Sequence, residues 1–341
     1  MNLILLCLNL LPALAVYNNN TLEELVIPET ERSLSTSLET KPQPKLFFDD
    51  LLEIPPTFIK DLISLSKSTP PVRLNKATTV QIPSIFDVKR HLNSAITSDC
   101  VFQHLANWQC SLFCTDYDVE EVFRNLYYGT LAVVGANHKT KEIIISHRGS
   151  INIQNWLRNL SYEPVQFPGA KEGALVHKGF LGVYNSNAAK VNEYLFKMIE
   201  KPKYKGYTVI FTGHSLGAAA ATVQAVDLGP KLNEKKVPFK LFAYHSPRVG
   251  DKNFVDYAVA LNFPIARYTM QGDLVNQLGP RQLKYVHLPG EFHTHKDERG
   301  DKVMTCSQEW DEDPNCAWSS RDNIDLLDHV RAFNQLINFL C

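Results

Sequence analysis

A serine between two glycines, Gly213-His214-Ser215-Leu216-Gly217, is the pattern in this chain that carries the most chemistry. A serine hydroxyl is a poor nucleophile by itself. It attacks a carbonyl when a base takes its proton, a carboxylate holds that base, and N–H donors receive the oxyanion. The flanks supply the context the motif requires. The run Tyr207-Thr208-Val209-Ile210-Phe211 reads as a short buried strand. Ala218 to Ala221 reads as the opening of a helix. Strand, sharp turn and helix make a nucleophile elbow. Glycines at 213 and 217 let strand and helix approach closely on either side of the serine. The hydroxyl then stands at a helix N-terminus, where the dipole and open N–H groups favour negative charge. A chance match in a loop is the bland alternative, and the flanks argue against it.

In such elbows the acid and then the histidine follow the serine along the chain. Downstream acids include Asp227, Asp251, Asp256 and Asp273. Asp273 comes after the predicted strand Ile265–Met270 and a Gln-Gly turn, beyond a strand C-terminus, where α/β sheets place their chemistry. The other three fall in helical or loop stretches and read as solvated surface charges. Candidate bases are His287, His293, His295 and His329. His329 lies in an otherwise apolar C-terminal segment, so it is either a satisfied structural histidine or the base. His293 and His295 flank Thr294 in a polar loop and read as exposed. His214 reads as packing or hydrogen-bonding behind the site. The strand Ile143–His147 ends in Arg148-Gly149-Ser150. The Ser150 N–H and hydroxyl could meet an oxyanion, with the Leu216 N–H as the second backbone donor.

These groups need a frame. Gly129–Val134 and Glu142–His147 read as hairpin strands, Tyr117–Leu126 and Val183–Ile199 as helices, and Lys240–His245 and Ile265–Met270 as strands. A helix is also expected over Pro83–Ile96, which would absorb the dibasic Lys89-Arg90 that could otherwise mark processing. Strands alternating with helices predict an α/β fold with a mostly parallel sheet covered on both faces. After Ser150, the residues Ile153, Trp156, Leu157 and Leu160 recur at i, i+3, i+4 and i+7. That spacing is a short amphipathic helix. It could simply pack on the core. Beside an oxyanion donor it could instead be a lid that turns its apolar stripe to a lipid surface.

The chain has 341 residues, 44% of them hydrophobic, enough for a large core. Its 35 basic and 36 acidic residues nearly cancel, which gives no footprint for nucleic acid. Residues 1–15 are apolar and end in Ala13-Leu14-Ala15, as a signal peptide would, although a basic n-region is missing. A short membrane anchor is the alternative reading. Residues 16–81 read as a propeptide or flexible arm, with one helix near Thr57–Ser66. Sequons occur at Asn19 and Asn159. If Cys7 leaves with the signal, Cys100, Cys110, Cys114, Cys306, Cys316 and Cys341 remain. An even set in a secretory chain suggests a disulfide framework. Spacing suggests local bridges Cys110–Cys114 and Cys306–Cys316, with Cys100 tied to Cys341. A zinc site is the weaker reading, since the spacings lack a second close ligand pair.

With these motifs in place, residues Ile82–Cys341 resemble the fungal class 3 triacylglycerol lipases, secreted α/β-hydrolases. The resemblance is carried by His147-Arg148-Gly149-Ser150 with Asn155-Trp156, by Val176-His177-Lys178-Gly179-Phe180, and by the elbow. It continues through Ser246-Pro247-Arg248-Val249-Gly250, Asp273-Leu274-Val275, His287 with Glu291, and Asp328-His329. It implies Ser215 as nucleophile, Asp273 as acid, His329 as base, Ser150 and Leu216 as oxyanion hole, the same disulfide pairing, and the lid. The chain departs from the pattern at several points. Ala218 stands for the second glycine after the elbow leucine, Asn276 for a proline after the acid, His245 for a glycine, and Ala332 for a tyrosine after the histidine.

The expected activity is hydrolysis of carboxylic ester bonds in water-insoluble lipids by a secreted monomer. It would touch lipid surfaces reversibly and would need no metal or organic cofactor. The secretory pathway or a vacuolar lumen is the alternative location. A phospholipase or short-chain esterase is the alternative activity. A lipid-binding pseudoenzyme is the alternative of another class, and a serine-directed fluorophosphonate probe separates it from an enzyme.

Overall fold

The computed structural model describes residues 57, 60, 61, 64, 69–74, 79–99, 117–149, 161–170, 173–297, 300–333 and 335–337. Helix α1 (Ile85–Thr97) opens on Ser84, whose hydroxyl accepts from the Asp87 amide as an N-cap does. Arg90 lies within α1 and makes a two-pronged pair with Glu142 at 2.6 and 2.8 Å, so the dibasic step is helical, as the sequence favours. Strands β1 (Asp118–Asn125), β2 (Thr130–Asn137) and β3 (Glu142–His147) follow as an antiparallel meander. Short strands β4 (Pro164–Gln166) and β5 (Leu175–His177) lead into α2 (Lys178–Ile199). Next come β6 (Thr208–His214), α3 (Leu216–Glu234), β7 (Phe239–Tyr244), β8 (Gly250–Asp251), α4 (Lys252–Ala260) and β9 (Ile265–Met270). Strands β10 (Tyr285–Val286), β11 (Glu291–Asp297) and β12 (Gly300–Thr305) precede a small hairpin, β13 (Arg331–Ala332) with β14 (Gln335–Leu336).

The main sheet has eight strands in the order β1-β2-β3-β6-β7-β9-β11-β12. Its centre, β3 through β11, is parallel, and antiparallel strands close both edges. Successive side chains leave a strand on opposite faces, and the core divides accordingly. Val209, Phe211, Leu241 and Ala243 face one cluster with residues of α2, α3 and α4. Ile210, Phe242 and Tyr244 face another with α1 and the C-terminal Val330, Ala332 and Ile337. This is the three-layer α/β arrangement that alternating strands and helices predict. No helix among the described residues is long and apolar enough to cross a membrane.

One expected element is of the other type. Tyr117–Leu126 reads as a helix because Val119, Val122 and Phe123 fall at helical spacing, yet residues 118–125 are the edge strand β1. The reason is a bulge. Val119 pairs with Gly135 and Glu121 with Val134, leaving Glu120 as an extra residue. That residue flips the alternation, so Val119 and Val122 pack on one face although they are three apart, and Phe123 packs on the other.

Cys306 and Cys316 are bridged, with Cα atoms 6.2 Å apart, as spacing suggests. Cys100, Cys110, Cys114 and Cys341 lie outside the described residues, as do the signal stretch and the sequon asparagines Asn19 and Asn159. Of the expected helix over 57–66, the described residues Thr57, Lys60, Asp61 and Ser64 are helical. Residues 69–74 run along 309–311, with Leu74 N–H donating to Glu309 O at 2.8 Å and Asp311 N–H to Val72 O at 3.1 Å. The buried Arg281 donates to the carbonyls of Thr69 and Pro70 at 2.9 and 3.1 Å.

Candidate active site

Ser215 joins β6 to α3 with φ 57° and ψ −126°, a conformation that L-residues rarely adopt. The surroundings hold it there. A Cβ on Gly213 would come within 2.5 Å of the Gly217 carbonyl, and one on Gly217 within 2.0 Å of His147 O. Only glycine fits at either place. The Ser215 amide donates to Tyr244 O at 2.9 Å, which continues the β6–β7 ladder to the turn itself. The Leu216 amide opens α3, within the first turn, where N–H groups have no acceptor inside their own helix.

Asp273 follows β9 and is almost fully buried. Its Oδ1 accepts from the Val275 amide at 2.8 Å and from Nδ1 of His329 at 2.9 Å. His329 sits in a short 3-10 helix, Leu326–Val330, between Asp328 and the first residue of the small hairpin. A carboxylate only accepts, so the neutral ring of His329 carries its hydrogen on Nδ1 and leaves the Nε2 lone pair open. The His329 carbonyl is 2.8 Å from Nε2 of His214, the residue before the serine, and the two rings are 4.7 Å apart. The imidazole therefore lies against the elbow. Ser215 Oγ and His329 Nε2 are both buried, and neither has a hydrogen-bond partner among the described residues.

Burial alone would raise the Asp273 pKa. The facing His329, with the hydrogen bonds from His245 and His329, outweighs it and holds the carboxyl below its ordinary range. The His214 pKa is lowered as well: burial first, then His329 and His245, push it well below its ordinary value, so it stays neutral near pH 7. Burial likewise lowers His147 to about 4, with Nε2 2.7 Å from Gln224 Oε1. At the foot of the elbow, Asp99 accepts from the Gly149 amide at 2.7 Å and lies 3.7 Å from Nδ1 of His214. Burial raises its pKa to about 7, against opposing pulls from Gly149 and Arg148.

Several sequence expectations need adjusting. Asp227 and Asp251 are half-buried and engaged: Asp227 accepts from the Tyr184 hydroxyl at 2.5 Å, and Asp251 caps α4. Only Asp256, paired with Lys252, matches a surface charge. His293 is not exposed. It is fully buried in β11, with Nδ1 2.8 Å from the Thr269 hydroxyl, and burial lowers its pKa to about 3. A polar stretch looked like a loop because its polar side chains bond Tyr268 and Thr269 of the neighbouring strand β9 inside the sheet. His287 is buried against Asn276 O at 2.9 Å. His214 packs behind the site, as expected. Ser150 and the lid residues Ile153, Trp156, Leu157 and Leu160 lie outside the described residues.

One group close to the site is noted in the sequence only as a departure. His245 follows the C-terminus of β7, and its Nδ1 is 2.7 Å from Asp273 Oδ2. The available signal was its place, since it ends a central parallel strand beside the elbow strand. His245, Asp273 and His329 together have donor types that a metal could use, but both Nδ1 atoms are engaged with the carboxylate. Glu291 lies near Cys306 and Cys316, whose sulfurs are bridged and cannot serve as the thiolates zinc takes.

Residues 144–283 match the family model for lipase (class 3). A lipase of Rhizomucor miehei is 34% identical over 234 residues, which is 67% of this chain and 62% of that protein. The secreted mono- and diacylglycerol lipase 1 of Fusarium solani is 34% identical over 169 residues, 48% of this chain and 47% of that protein. This chain thus spans less than two thirds of the length of both relatives. A solved structure of Rhizomucor miehei triacylglyceride lipase superposes with a TM-score of 0.66 at 28% identity, covering 74% of this chain and 95% of that one. A structure of the Rhizomucor miehei lipase propeptide complex superposes with a TM-score of 0.67 at 26% identity, covering 82% and 93%.

Proposed function

The chain belongs to the class 3 lipase family, and from that premise we propose that it is a secreted triacylglycerol lipase with Ser215, Asp273 and His329 as its triad. The observation that carries the reading is the Asp273–His329 hydrogen bond of 2.9 Å, with His329 laid against the strained serine turn. On this reading Ser215 Oγ attacks the ester carbonyl while His329 Nε2 takes its proton. The carbonyl π electrons move to oxygen, and the N–H groups of Leu216 and Ser150 receive the oxyanion. Collapse breaks the bond to the glycerol oxygen, which leaves with the proton from His329. Water, deprotonated by the same histidine, then attacks the acyl-enzyme, and Ser215 recovers its proton as the fatty acid departs. Asp273 keeps its charge throughout and stabilises the imidazolium.

Ser215 and His329 are each only 2% exposed. A substrate carbonyl must reach the serine, so something has to move. That supports Ile153, Trp156, Leu157 and Leu160 as a lid that opens on a lipid surface. The bridged Cys306–Cys316 pair supports an oxidising compartment, hence secretion. Arg281 donates to the carbonyls of Thr69 and Pro70, which supports residues 16–81 as a propeptide or arm that docks on the lipase domain.

The test combines a fluorophosphonate probe with rates on triacylglycerols of several chain lengths and on a phospholipid. Labelling at Ser215 is expected, with turnover rising above the solubility limit. The Ser215→Ala variant should lose at least about ten-thousandfold in rate while melting near the parent temperature. Full activity in that variant removes the assignment. Labelling without turnover on any lipid favours the binding protein, and preference for the phospholipid favours the phospholipase.

A further inference from the structure

His245 combines three features that are each unfavourable unless they serve something. It is fully buried, its Nε2 has no hydrogen-bond partner among the described residues, and its φ is +54°, a backbone geometry that glycine takes without strain. The backbone is held by donation from the His245 amide to Tyr268 O at 2.9 Å. The ring stands edge-on to His214, Tyr268 and His329, at centroid distances of 5.3, 5.4 and 5.6 Å. Among the described residues the ring's one hydrogen bond is to Asp273 Oδ2, at 2.7 Å.

From this geometry we infer that His245 is a positioning residue for the triad acid, donating from Nδ1 to fix the carboxylate plane so that Oδ1 stays on His329. The inference rests on the lipase reading above. Asp273 presents two oxygens. Oδ1 takes the Val275 amide and the His329 ring, and Oδ2 takes His245. A carboxylate held at one oxygen pivots about its Cβ–Cγ bond, whereas one held at both has a single orientation. A buried carboxylate oxygen without a donor is also costly, so the loss of His245 would draw the group towards other partners and away from His329. His245 does not touch the reacting atoms. It acts through Asp273, which sets the tautomer and direction of His329.

Backbone strain and hydrogen bonding can be separated at this position. Asparagine tolerates positive φ, and its Nδ2 hangs from Cγ as Nδ1 does in histidine, so His245→Asn keeps the donor with a smaller side chain. His245→Gly relieves the backbone and removes the donor. The readouts are kcat and KM on a soluble short-chain ester, the rate of fluorophosphonate labelling of Ser215, and the melting temperature. His245→Gly should lower kcat and labelling together by about 10- to 100-fold, with KM within about twofold, as expected when a base drifts from its line of attack. His245→Asn should stay within about threefold of the parent in both rates, since only its side-chain volume changes. A glycine variant with parental kcat overturns the inference, as does an asparagine variant as slow as the glycine one. If the glycine variant does not fold, the asparagine variant decides alone, and a hundredfold loss there overturns the inference. A parent protein that neither labels nor hydrolyses esters defeats the lipase reading itself. A parent that does both beside an unimpaired glycine variant defeats only the role of His245.

Discussion

The serine side of the site is set by its neighbours in sequence, whereas the histidine side is set by contacts far along the chain. Ser215 lies between a strand paired on both sides and a helix that begins at the next residue, with Gly213 and Gly217 allowing the closest approaches. His329 sits in a 3-10 helix of five residues. That short helix is held by Gly272 N–H to Asp328 at 3.0 Å, Asp325 N–H to Gly272 O at 2.9 Å, Lys296 to Asp328 at 2.5 Å, and His214 to the His329 carbonyl at 2.8 Å. The turn that presents Ser215 is thus built by local backbone geometry, and the placement of His329 by assembly. Substitutions in the backbone frame of the serine turn should act mainly on folding, and substitutions of Ser215 itself or on the histidine side mainly on rate.

The strongest way to break this division is Asp273→Asn. It keeps the shape of the acid but lets His329 take the wrong tautomer, so kcat should fall about ten-thousandfold while the protein stays folded. Collapse of the fold, read by circular dichroism, would mean that the acid is structural. On the other side, Gly217→Ala puts a methyl 2.0 Å from the His147 carbonyl, and the backbone there cannot yield. A stability loss of about 3 kcal/mol is expected in denaturant unfolding, and a parental midpoint would show that the elbow has slack. Lys296→Met removes the cation facing the buried Asp328. Because the lysine is about a third exposed, at 32%, the loss should be only about 1 kcal/mol. Any fall in kcat should exceed what the lost folded fraction explains.

The two sides also differ in pH dependence, where they have opposite signs. Asp99, on the serine side, is raised by burial from 3.8 to about 7. The native state therefore binds the extra proton more tightly than the unfolded chain does. This contribution to stability is complete below about pH 4 and is lost as pH rises through about 7. Asp273, on the histidine side, is lowered, so its contribution is present above 3.8 and is lost only in stronger acid. Asp99→Asn should flatten the decline in melting temperature between about pH 4 and 7, as the removed titration requires. An unchanged slope would assign that decline to another group.

Legibility followed the same division. The elbow could be read because strand, glycines, serine and helix are adjacent, and β3, β9 and most of α2 lie where hydrophobic runs place them. Asp273 could be read from its place after a strand. The misreadings have one origin. The bulge at Glu120 turned a strand into helical spacing, and His293 looked exposed because its partners, Thr269 and the β11 neighbours, are remote or equally polar. His245 drew notice only as an odd residue after Tyr244, since nothing local ties it to a carboxylate 28 positions away.

By itself, the order of residues determined what depends on near neighbours: the alternation that sorts the sheet's two faces, the strained turn at Ser215, and the chain order of serine, acid and histidine. Tertiary structure alone decided which imidazole meets the acid, that a second one shares it, and that Asp99 is driven toward neutrality. Those outcomes depend on burial and on hydrogen bonds closed across tens of residues. Their strength comes from the exclusion of water, which no local stretch of chain can achieve.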